Sequence, residues 1–572
     1  MNSIGFKKKL ILKKQFYRSV KTCCLLLLFL ILSKQKLYSQ SGSTRSLSRP
    51  NILIITADDL MWSGVSMNDS LSIFPTPNIN RIGMEGLTVK NYYSTNAICI
   101  PGRATMLSGK YGHITGAVNN CTQLLGMFKT FPQILHDSGY YTALCGKWMV
   151  NNSSNPRPEF DYWLWTPYMT SYINDTCQYF DSTFIATGHI TDMLTDSVLS
   201  LIGRVDTPFC ILLNHNAPHS PYIPQPQFQG MFDNSFFHVP GNFPAYTNNY
   251  PTEIYRYLNF FVEDTNEFQS VTRSYYELLA GLEVSVGKIL DSLSALGVLD
   301  QTMVIFTTDN GFMIGPHQLM GKQYPYEEVM KMPLMIRYPP WFQAGSTIDS
   351  SFVLNPDFAP TILDAAGIPQ NYGMQGSSVR NIYNHTYRRD EFMYEVIPCQ
   401  DSVAQVRAVR TPYFQYNRYY CIDTTEELFD MVNDKLQITN LVKNQLYQNV
   451  LYQYRIKLDS LRTTLNDTMT IENVPCHLVV NSLNPLEQSG TDFPFVFYPV
   501  PATEKLFIHS SRPAVFSFEL FNSMGQKVKT GTLNFSSTQG GIINLDEISS
   551  GVYMAIFKNA CSFYSSKFTV IK

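Results

Sequence analysis

Short, largely apolar runs recur through the first 306 residues of the chain, separated by stretches long enough to contain helices. They cover residues 51–56, 141–144, 209–213 and 302–306. Uninterrupted aliphatic and β-branched runs of this length are typical of strands buried on both faces of a parallel sheet. The pattern therefore predicts an α/β fold built on a central, mostly parallel sheet.

Apolar residues at helical spacing predict two helices in the same region. The longer one covers 271–296 and ends before Gly297, a residue expected just after a helix C-terminus. The shorter one covers 357–366 and ends before Gly367. We assign residues 49–389 to one large α/β domain.

The pattern changes towards the C-terminus. Short strands followed by a charged helix near 444–465 predict a smaller α+β subdomain over 390–467. Residues 468–492 are polar and lack clear periodicity, which predicts a linker. Strands punctuated by Gly, Asn and Ser over 493–572 predict a terminal β-sandwich.

The N-terminus has the pattern of a signal peptide over residues 1–40. A Lys-rich stretch precedes an apolar run at 23–32, and a polar segment follows it. The run is shorter than the roughly 20 apolar residues that a membrane-spanning helix needs. We therefore expect the protein to be exported through the periplasm.

Charge and cysteine content narrow the possibilities further. The 572 residues include 43 Lys+Arg and 45 Asp+Glu, for a net charge of -2. This balance gives no indication of nucleic-acid binding, so an anionic substrate has to be bound by a local cluster of cations. Of the 11 cysteines, Cys23 and Cys24 lie in the leader. The odd number that follows means that at least one is unpaired or modified.

Two pairs of oxygen-bearing side chains come directly after predicted strands. Asp58 and Asp59 follow the first strand, and Asp309 and Asn310 follow the strand at 302–306. Ligands of open α/β sheets bind at the carboxyl ends of the strands. Three carboxylates and an amide suit a hard cation such as calcium. Taken alone, an Asp-Asp pair after a strand is usually a turn or a helix cap.

The segment 99–103, CIPGR, lies between these two pairs in sequence. It favours a turn into a helix whose positive end would face a bound anion. Lys147 in CGKWM, His219 in NAPHSP and Lys322 in GPHQLMGKQ are candidate groups for binding such an anion. A lone Lys is usually a surface residue and a lone His usually structural, so the order of the motifs carries the argument.

Together these motifs, with RPNILIITADD, ATMLSGKYGH, TTDNGF and YEEVMKMPLMIRYP, resemble the sulfatase family over about 49–465. The similarity is strongest to the N-acetylglucosamine-6-sulfatase and related glycan-sulfatase branch. The resemblance implies an alkaline-phosphatase-like core. It also implies a sulfuric ester hydrolase that acts on a sulfated sugar or glycan.

The resemblance also implies roles for the site residues. A separate formylglycine-generating enzyme would convert Cys99 to formylglycine, whose hydrate attacks sulfur while His219 protonates the leaving sugar oxygen. Arg103, Lys147 and Lys322 would complete the catalytic set. The single calcium ion would be held by Asp58, Asp59, residue 99, Asp309 and Asn310.

Two positions depart from the family pattern. Position 102 is Gly, where Ser or Ala is commoner. Met149 and Val150 follow Lys147 where many sulfatases have a His that helps to expel sulfate, although the glucosamine-6-sulfatase branch also lacks it. His113 and His317 are therefore predicted as substrate-binding residues of the pocket.

The terminal segment 493–572 resembles a different module, the sorting domain of the type IX secretion route. Its landmarks are FYPVPATEKLFI, ELFNSMGQKVKTG and the terminal KFTVIK. This predicts a partner in the type IX secretion machinery and a secreted protein, extracellular or at the cell surface. A small carbohydrate-binding or spacer sandwich is the alternative.

Two other functions stay open on the sequence alone. A phosphoesterase of the alkaline phosphatase superfamily would use a similar metal and nucleophile. A non-catalytic protein could keep the same fold to bind sulfated glycans. Loop aromatics such as Tyr172 and Tyr222 suit stacking on sugar rings, but they suit simple packing equally.

Overall fold

The structure is a computed structural model that describes most of the chain. The predicted signal peptide lies outside the described residues, and so does most of the predicted linker. The described residues are 49–69, 71–150, 155–167, 171–243, 260–262, 264–399, 404–421, 425–471, 473, 495–498, 505–510, 514–522, 527–535, 541–549, 551–558 and 563–570.

A mixed sheet of eleven strands forms the centre of the described catalytic region. Its strands are β1 (Asn51–Ala57), β2 (Leu87–Tyr93), β3 (Tyr141–Gly146), β4 (Tyr162–Trp165), β5 (Thr176–Tyr179), β6 (Ser182–Ile185), β7 (Phe209–Asn214), β9 (Thr302–Thr308), β12 (Lys331–Arg337), β13 (Ser346–Ile348) and β14 (Val353–Leu354). They lie in the order β13-β2-β12-β9-β1-β7-β3-β4-β5-β6, with β14 also beside β2. The central strands β9, β1, β7, β3 and β4 are parallel, as predicted.

Helices cover this sheet and continue into the second subdomain. They are α1 (Pro77–Met84), α2 (Cys99–Ser108), α3 (Gly112–Thr115), α4 (Phe131–Asp137), α5 (Ile190–Ile202), α6 (Thr265–Ala295), α7 (Glu327–Met330), α8 (Phe358–Ala365), α9 (Val379–Tyr383) and α10 (Gln448–Thr464). The helices predicted at 271–296 and 357–366 correspond to α6 and α8. Gly297 follows α6 with φ 70°, the left-handed conformation expected of a glycine after a helix end.

Strand β1 shows why the apolar runs are continuous. All seven of its residues are buried. Leu53 and Ile55 pack with α6 in one hydrophobic cluster, whereas Ile52 and Ile54 pack with α2 and α8 in another. Because successive side chains of a strand point to opposite faces, both faces of the sheet must be apolar here.

Two smaller sheets complete the catalytic region. A three-stranded sheet pairs β8 (Phe260–Phe261), β10 (Met313–Ile314) and β11 (Leu319–Gly321). An antiparallel sheet joins β15 (Phe392–Val396), β16 (Val406–Arg410), β17 (Phe414–Tyr419) and β18 (Thr425–Asp430) in sequence order. Helix α10 packs on this second sheet through a shared hydrophobic cluster.

The terminal segment consists of antiparallel strands in two sheets. One has the order β19-β20-β23, from β19 (Phe495–Tyr498), β20 (Lys505–Ser510) and β23 (Gly541–Asn544). The other has the order β22-β21-β24-β25, from β21 (Ala514–Asn522), β22 (Lys527–Phe535), β24 (Gly551–Lys558) and β25 (Phe563–Val570). Alternating buried residues, such as Phe516, Phe518 and Leu520, form its core.

Cysteines take two forms in the catalytic region. Cys121 and Cys399 form a disulfide across 278 residues of sequence, with 5.7 Å between their Cα atoms. Cys99 is among the buried free thiols. Across the described ranges, no helix combines the length and apolar character needed to cross a bilayer.

Candidate functional site

The carboxyl ends of β1 and β9 bring the two predicted pairs of oxygen ligands together. Ala57 of β1 lies opposite Thr308 of β9, so the residues that follow are neighbours. The Nδ2 of Asn310 donates to Asp59 Oδ1 at 2.7 Å. Asp59 has φ 60°, a strained conformation for a non-glycine residue and one that clusters at functional sites.

Cys99 is the first residue of helix α2 and is fully buried. Its Sγ lies 3.7 Å from Asp58 Oδ1. The start of α2 therefore places residue 99 beside the carboxylate cluster, as the resemblance to sulfatases implies.

Close approach of two backbones accounts for glycine at position 102. A Cβ on Gly102 would lie 2.2 Å from the carbonyl oxygen of Asp309, well inside contact distance. Helix α2 therefore packs directly against the turn that carries Asp309 and Asn310.

Gly102→Ala is expected to lower both stability and turnover. The new methyl has to push α2 away from the Asp309 turn, which costs about 1–3 kcal/mol of unfolding free energy. Urea denaturation and kcat measure the two effects. Gly203→Ala is the matched control, because its Cβ would meet no atom closer than 3.5 Å. Wild-type stability and turnover in Gly102→Ala would contradict this account.

Two lysines extend into the carboxylate cluster from different loops. Lys147, just after β3, donates to Asp58 Oδ2 and has its Nζ 3.9 Å from Cys99 Sγ. The Nζ of Lys322, just after β11, lies 2.7 Å from Cys99 Sγ and 2.6 Å from Asp59 Oδ1. The structure thus gathers cations around residue 99.

Arg103 lies one turn along α2 from Cys99 and is buried with it. Its Nε donates to Asp309 Oδ2 at 3.0 Å, and its Nη1 donates to the carbonyl of Lys147 at 3.1 Å. Its buried Nη2 has no hydrogen-bond partner among the described residues and lies 3.8 Å from Asp58 Oδ2. A buried guanidinium with an unsatisfied donor suits an additional oxygen ligand in the site.

Burial and neighbouring charges both shift the pKa values of the groups in this cluster. Burial alone would raise the pKa of Asp58, but the surrounding cations, Lys147 foremost, hold that pKa well below its usual range. Burial and the charge of Asp58 raise the pKa of Asp309 to about 6. Burial raises the pKa of the Cys99 thiol to about 12 in spite of the nearby lysines. An unmodified Cys99 is therefore a neutral thiol at pH 7, a poor nucleophile.

His219 lies near Oδ2 of Asp59, whereas Lys322 contacts Oδ1. Its Nε2 lies 3.6 Å from Asp59 Oδ2, and its Nδ1 lies 2.5 Å from the carbonyl of Ser220. The carbonyl can only accept, so Nδ1 carries a proton and Nε2 is the exchangeable position. Burial lowers the pKa of His219 and outweighs the nearby aspartates.

Tyr172 supports His219, a role that the sequence did not indicate. Its hydroxyl donates to the carbonyl of His219 at 2.7 Å, and its ring stacks on His189. Tyr172 is fully buried, so of the two uses considered for it, packing is the one observed.

Asn214 is another residue near the site that the sequence did not indicate. It donates to the carbonyl of Lys147 at 2.9 Å, and only its place at the end of β7 could have indicated this.

The two histidines predicted to bind substrate are both engaged within the protein. His113 places Nδ1 2.7 Å from Glu395 and Nε2 3.0 Å from the carbonyl of Leu465. His317 stacks on Tyr326 with 4.4 Å between ring centroids. The contact with Glu395 ties the segment of His113 to the sheet of β15–β18. Contact with substrate stays a prediction for both histidines.

The segment that follows Lys322 is hydrogen-bonded to the sheet of β15–β18. Tyr326 donates its hydroxyl to Glu427 Oε1 at 3.0 Å, and Asn417 donates to the carbonyl of Pro325 at 3.3 Å. Burial raises the pKa of Glu427 to about 7. The smaller subdomain therefore takes part in placing Lys322.

The cluster has the donor set of a hard-cation site. Asp58, Asp59 and Asp309 can each offer one carboxylate oxygen within 4.8 Å of the others. Asn310 Oδ1 lies 3.5 Å from Lys322 Nζ, so the amide oxygen faces the same region. Oxygen-only donors of this kind fit calcium or magnesium better than zinc.

Three family models match the chain. The sulfatase model matches residues 50–368, and the model for the C-terminal region of N-sulphoglucosamine sulphohydrolase matches 315–464. The model for a secretion system C-terminal sorting domain matches 496–572. This last match confirms the predicted sorting domain and the predicted secretion.

Individual proteins extend these matches. The N-acetylglucosamine-6-O-sulfatase of Bacteroides thetaiotaomicron is 28% identical over 469 residues, covering 69% of this chain and 82% of that protein. A solved structure in complex with its substrate D-glucosamine-2-N,6-O-disulfate has a TM-score of 0.68 at 26% identity, covering 73% of this chain and 99% of that one.

A phosphonate monoester hydrolase of Agrobacterium radiobacter is also similar in structure. It has a TM-score of 0.63 at 20% identity, covering 73% of this chain and 96% of that one. This likeness concerns the fold alone. Together with the observed sheet, the comparisons confirm the predicted alkaline-phosphatase-like α/β class.

Proposed function

Because the chain belongs to the sulfatase family of sulfuric ester hydrolases and carries a secretion sorting domain, we propose that the secreted protein removes the sulfate ester of 6-sulfated N-acetylglucosamine in a glycan. We further propose that it uses one calcium ion and a formylglycine made from Cys99. The observation that carries this proposal is the buried Cys99 at the start of α2, with Lys322 Nζ 2.7 Å from its sulfur and Asp58 at 3.7 Å.

The substrate proposal rests on the relatives. An N-acetylglucosamine-6-O-sulfatase aligns with most of this chain, and a structure bound to D-glucosamine-2-N,6-O-disulfate has a similar fold. The sulfatase family model matches residues 50–368, which include the strand ends that carry the site. The relatives therefore favour a glucosamine-type sugar over a generic aryl sulfate.

The chemistry of the site supports an aldehyde-derived nucleophile. With its pKa raised to about 12, the Cys99 thiol is neutral at pH 7. Hydrated formylglycine at this position would supply an oxygen nucleophile in place of the thiol. The unsatisfied Nη2 of Arg103 and the ammonium of Lys147 are placed to donate to oxygens on residue 99.

Calcium would be held by Asp58, Asp59, Asp309 and Asn310, and it would supply positive charge to orient a sulfate oxygen. Lys322 binds Asp59 beside residue 99, so its ammonium can hold a second sulfate oxygen. Fixed cations in a buried site stabilise charge that develops during sulfate transfer.

His219 is the proposed proton donor to the leaving sugar oxygen. Its Nδ1 is held by the carbonyl of Ser220, which leaves Nε2 to deliver the proton. A bound sulfate ester brings negative charge beside the ring, which favours the protonated form and opposes the lowering of its pKa by burial.

The first test combines peptide mass spectrometry with turnover. The protein is exported after co-expression with a formylglycine-generating enzyme, the proposed maturing partner. The peptide containing residue 99 is expected to lose about 18 Da. The converted protein should hydrolyse 6-sulfated N-acetylglucosamine, with its 3-sulfated isomer as the matched control. EGTA should abolish turnover and added calcium should restore it.

Other outcomes of this test point to the other functions. An unmodified thiol, with binding of the sulfated sugar but no release of sulfate, would identify a non-catalytic glycan-binding protein. Faster hydrolysis of a phosphate ester than of any sulfate ester would overturn the proposed substrate class.

Type IX machinery is the proposed export partner, because the sorting domain covers residues 496–572.

A further inference from the structure

The amino end of helix α2 is capped from outside the helix. Its N-cap residue, Ile98, has no side chain that can accept a hydrogen bond from the first turn. Instead the backbone N–H of Ile100 donates to Asn120 Oδ1 at 3.1 Å. Pro101 has no N–H to satisfy. Asn120 therefore takes the place of an N-cap side chain for the turn that carries residue 99.

The segment around Asn120 is held by a covalent bond. The next residue, Cys121, forms the disulfide with Cys399. Asn119 adds a hydrogen bond from its Nδ2 to the carbonyl of Pro398 at 3.0 Å. Both contacts lead to the same stretch of chain, just after β15. This stretch therefore fixes Asn120 from both sides.

The disulfide is open to solvent, unlike residue 99. Cys121 and Cys399 are both exposed, whereas Cys99 is fully buried. A small thiol reductant can therefore reach the disulfide without unfolding the catalytic core. Exposed disulfides exchange more readily with external thiols than buried ones do.

We propose that Asn120 is a positioning residue for residue 99, and that the Cys121–Cys399 disulfide holds Asn120 in place, so that thiol reductants slow turnover. Reduction breaks the S–S bond, each sulfur gains a proton, and a dithiol reductant becomes its own disulfide. The loosened 119–122 segment then holds Ile100 less firmly. The nucleophile on residue 99 is misplaced, while the groups that bind sulfate keep their positions. This proposal rests on the proposed function.

The first measurement is steady-state turnover of 6-sulfated N-acetylglucosamine by Asn120→Ala, normalised to the formylglycine content of residue 99. We expect kcat to fall about tenfold with KM within about twofold, because misplaced reacting groups affect the chemical step. Asn120→Asp keeps an acceptor oxygen for Ile100 and should restore most of kcat. Asn384→Ala, at an exposed position after α9, is the control.

The second measurement is a double-mutant comparison. The Cys121→Ser/Cys399→Ser variant should lose a similar factor in kcat, and adding Asn120→Ala should cost little more, because both changes act on one contact. Dithiothreitol should slow the wild type and leave this variant unaffected. The proposal is wrong if the two losses in kcat multiply when Asn120→Ala is added to the double serine variant. It is also wrong if Asn120→Ala alone keeps the wild-type kcat.

Hydrogen exchange separates this proposal from the proposed function. Peptides that contain Ile100 should exchange faster in Asn120→Ala than in the wild type, while peptides from β9 should not change. This readout needs neither formylglycine nor substrate. If peptides with Ile100 exchange faster in Asn120→Ala but the wild type has no sulfatase activity, only the proposed function is wrong. If their exchange does not change, the positioning role of Asn120 is wrong.

Discussion

Cys99→Ala is expected to reduce hydrolysis of the sulfate ester by roughly a thousandfold or more. Residue 99 carries the proposed nucleophile, and alanine cannot be converted to an aldehyde. The fold should survive, because alanine removes one sulfur atom from a buried position at a cost of about 1 kcal/mol. Turnover of 6-sulfated N-acetylglucosamine measures the first effect, and thermal unfolding measures the second.

Cys210→Ala is the matched control for this variant. Cys210 is also a buried free thiol, but it lies in β7 and packs in the hydrophobic core. It should lose comparable stability and keep its kcat. A Cys99→Ala protein with turnover close to wild type would overturn the proposed nucleophile.

Lys322→Met should lower kcat/KM by about 10²–10³-fold. The ammonium of Lys322 lies 2.7 Å from Cys99 Sγ and 2.6 Å from Asp59 Oδ1, so its loss removes a largely buried positive charge next to the reacting group. Methionine keeps much of the length and packing of the side chain. Steady-state kinetics with the sulfated sugar measure the effect.

A second lysine provides the comparison for this variant. Lys331 is also largely buried, but it pairs with Glu327 and lies over the ring of Trp62. Lys331→Met should change stability more than kcat/KM. Equal losses of kcat/KM in the two variants would show that Lys322 acts through folding and not through charge at the site.

The strands and much of the site were predictable, because local patterns determine them. Residues 52–55 of the run at 51–56 are all apolar, since both faces of β1 are buried. Asp58 and Asp309 follow parallel neighbouring strands, so strand ends alone bring them together. The order of the motifs CIPGR, CGKWM and NAPHSP along the chain indicated Cys99, Lys147 and His219 as further candidates.

Contacts between distant segments were not predictable. Asn120 meets Ile100 only because α2 packs beside the 119–122 segment, and an asparagine there has no distinctive local pattern. The pairing of Cys121 with Cys399 was one of many that the cysteine count allows. His113 bonds to Glu395, 282 residues further along, and sequence spacing carries no sign of that contact.

Burial of Cys99 and the long span of the Cys121–Cys399 disulfide together constrain the order of conversion, packing and disulfide closure. Cys99 is fully buried once α2 has packed, so the proposed maturing enzyme has to reach it before that happens. The disulfide cannot close until Cys399 has emerged, 278 residues after Cys121. While those 278 residues emerge, the helix that carries residue 99 lacks the disulfide that holds Asn120 beside it. Conversion of Cys99 therefore has to precede the packing of α2, whereas closure of the disulfide has to wait for Cys399.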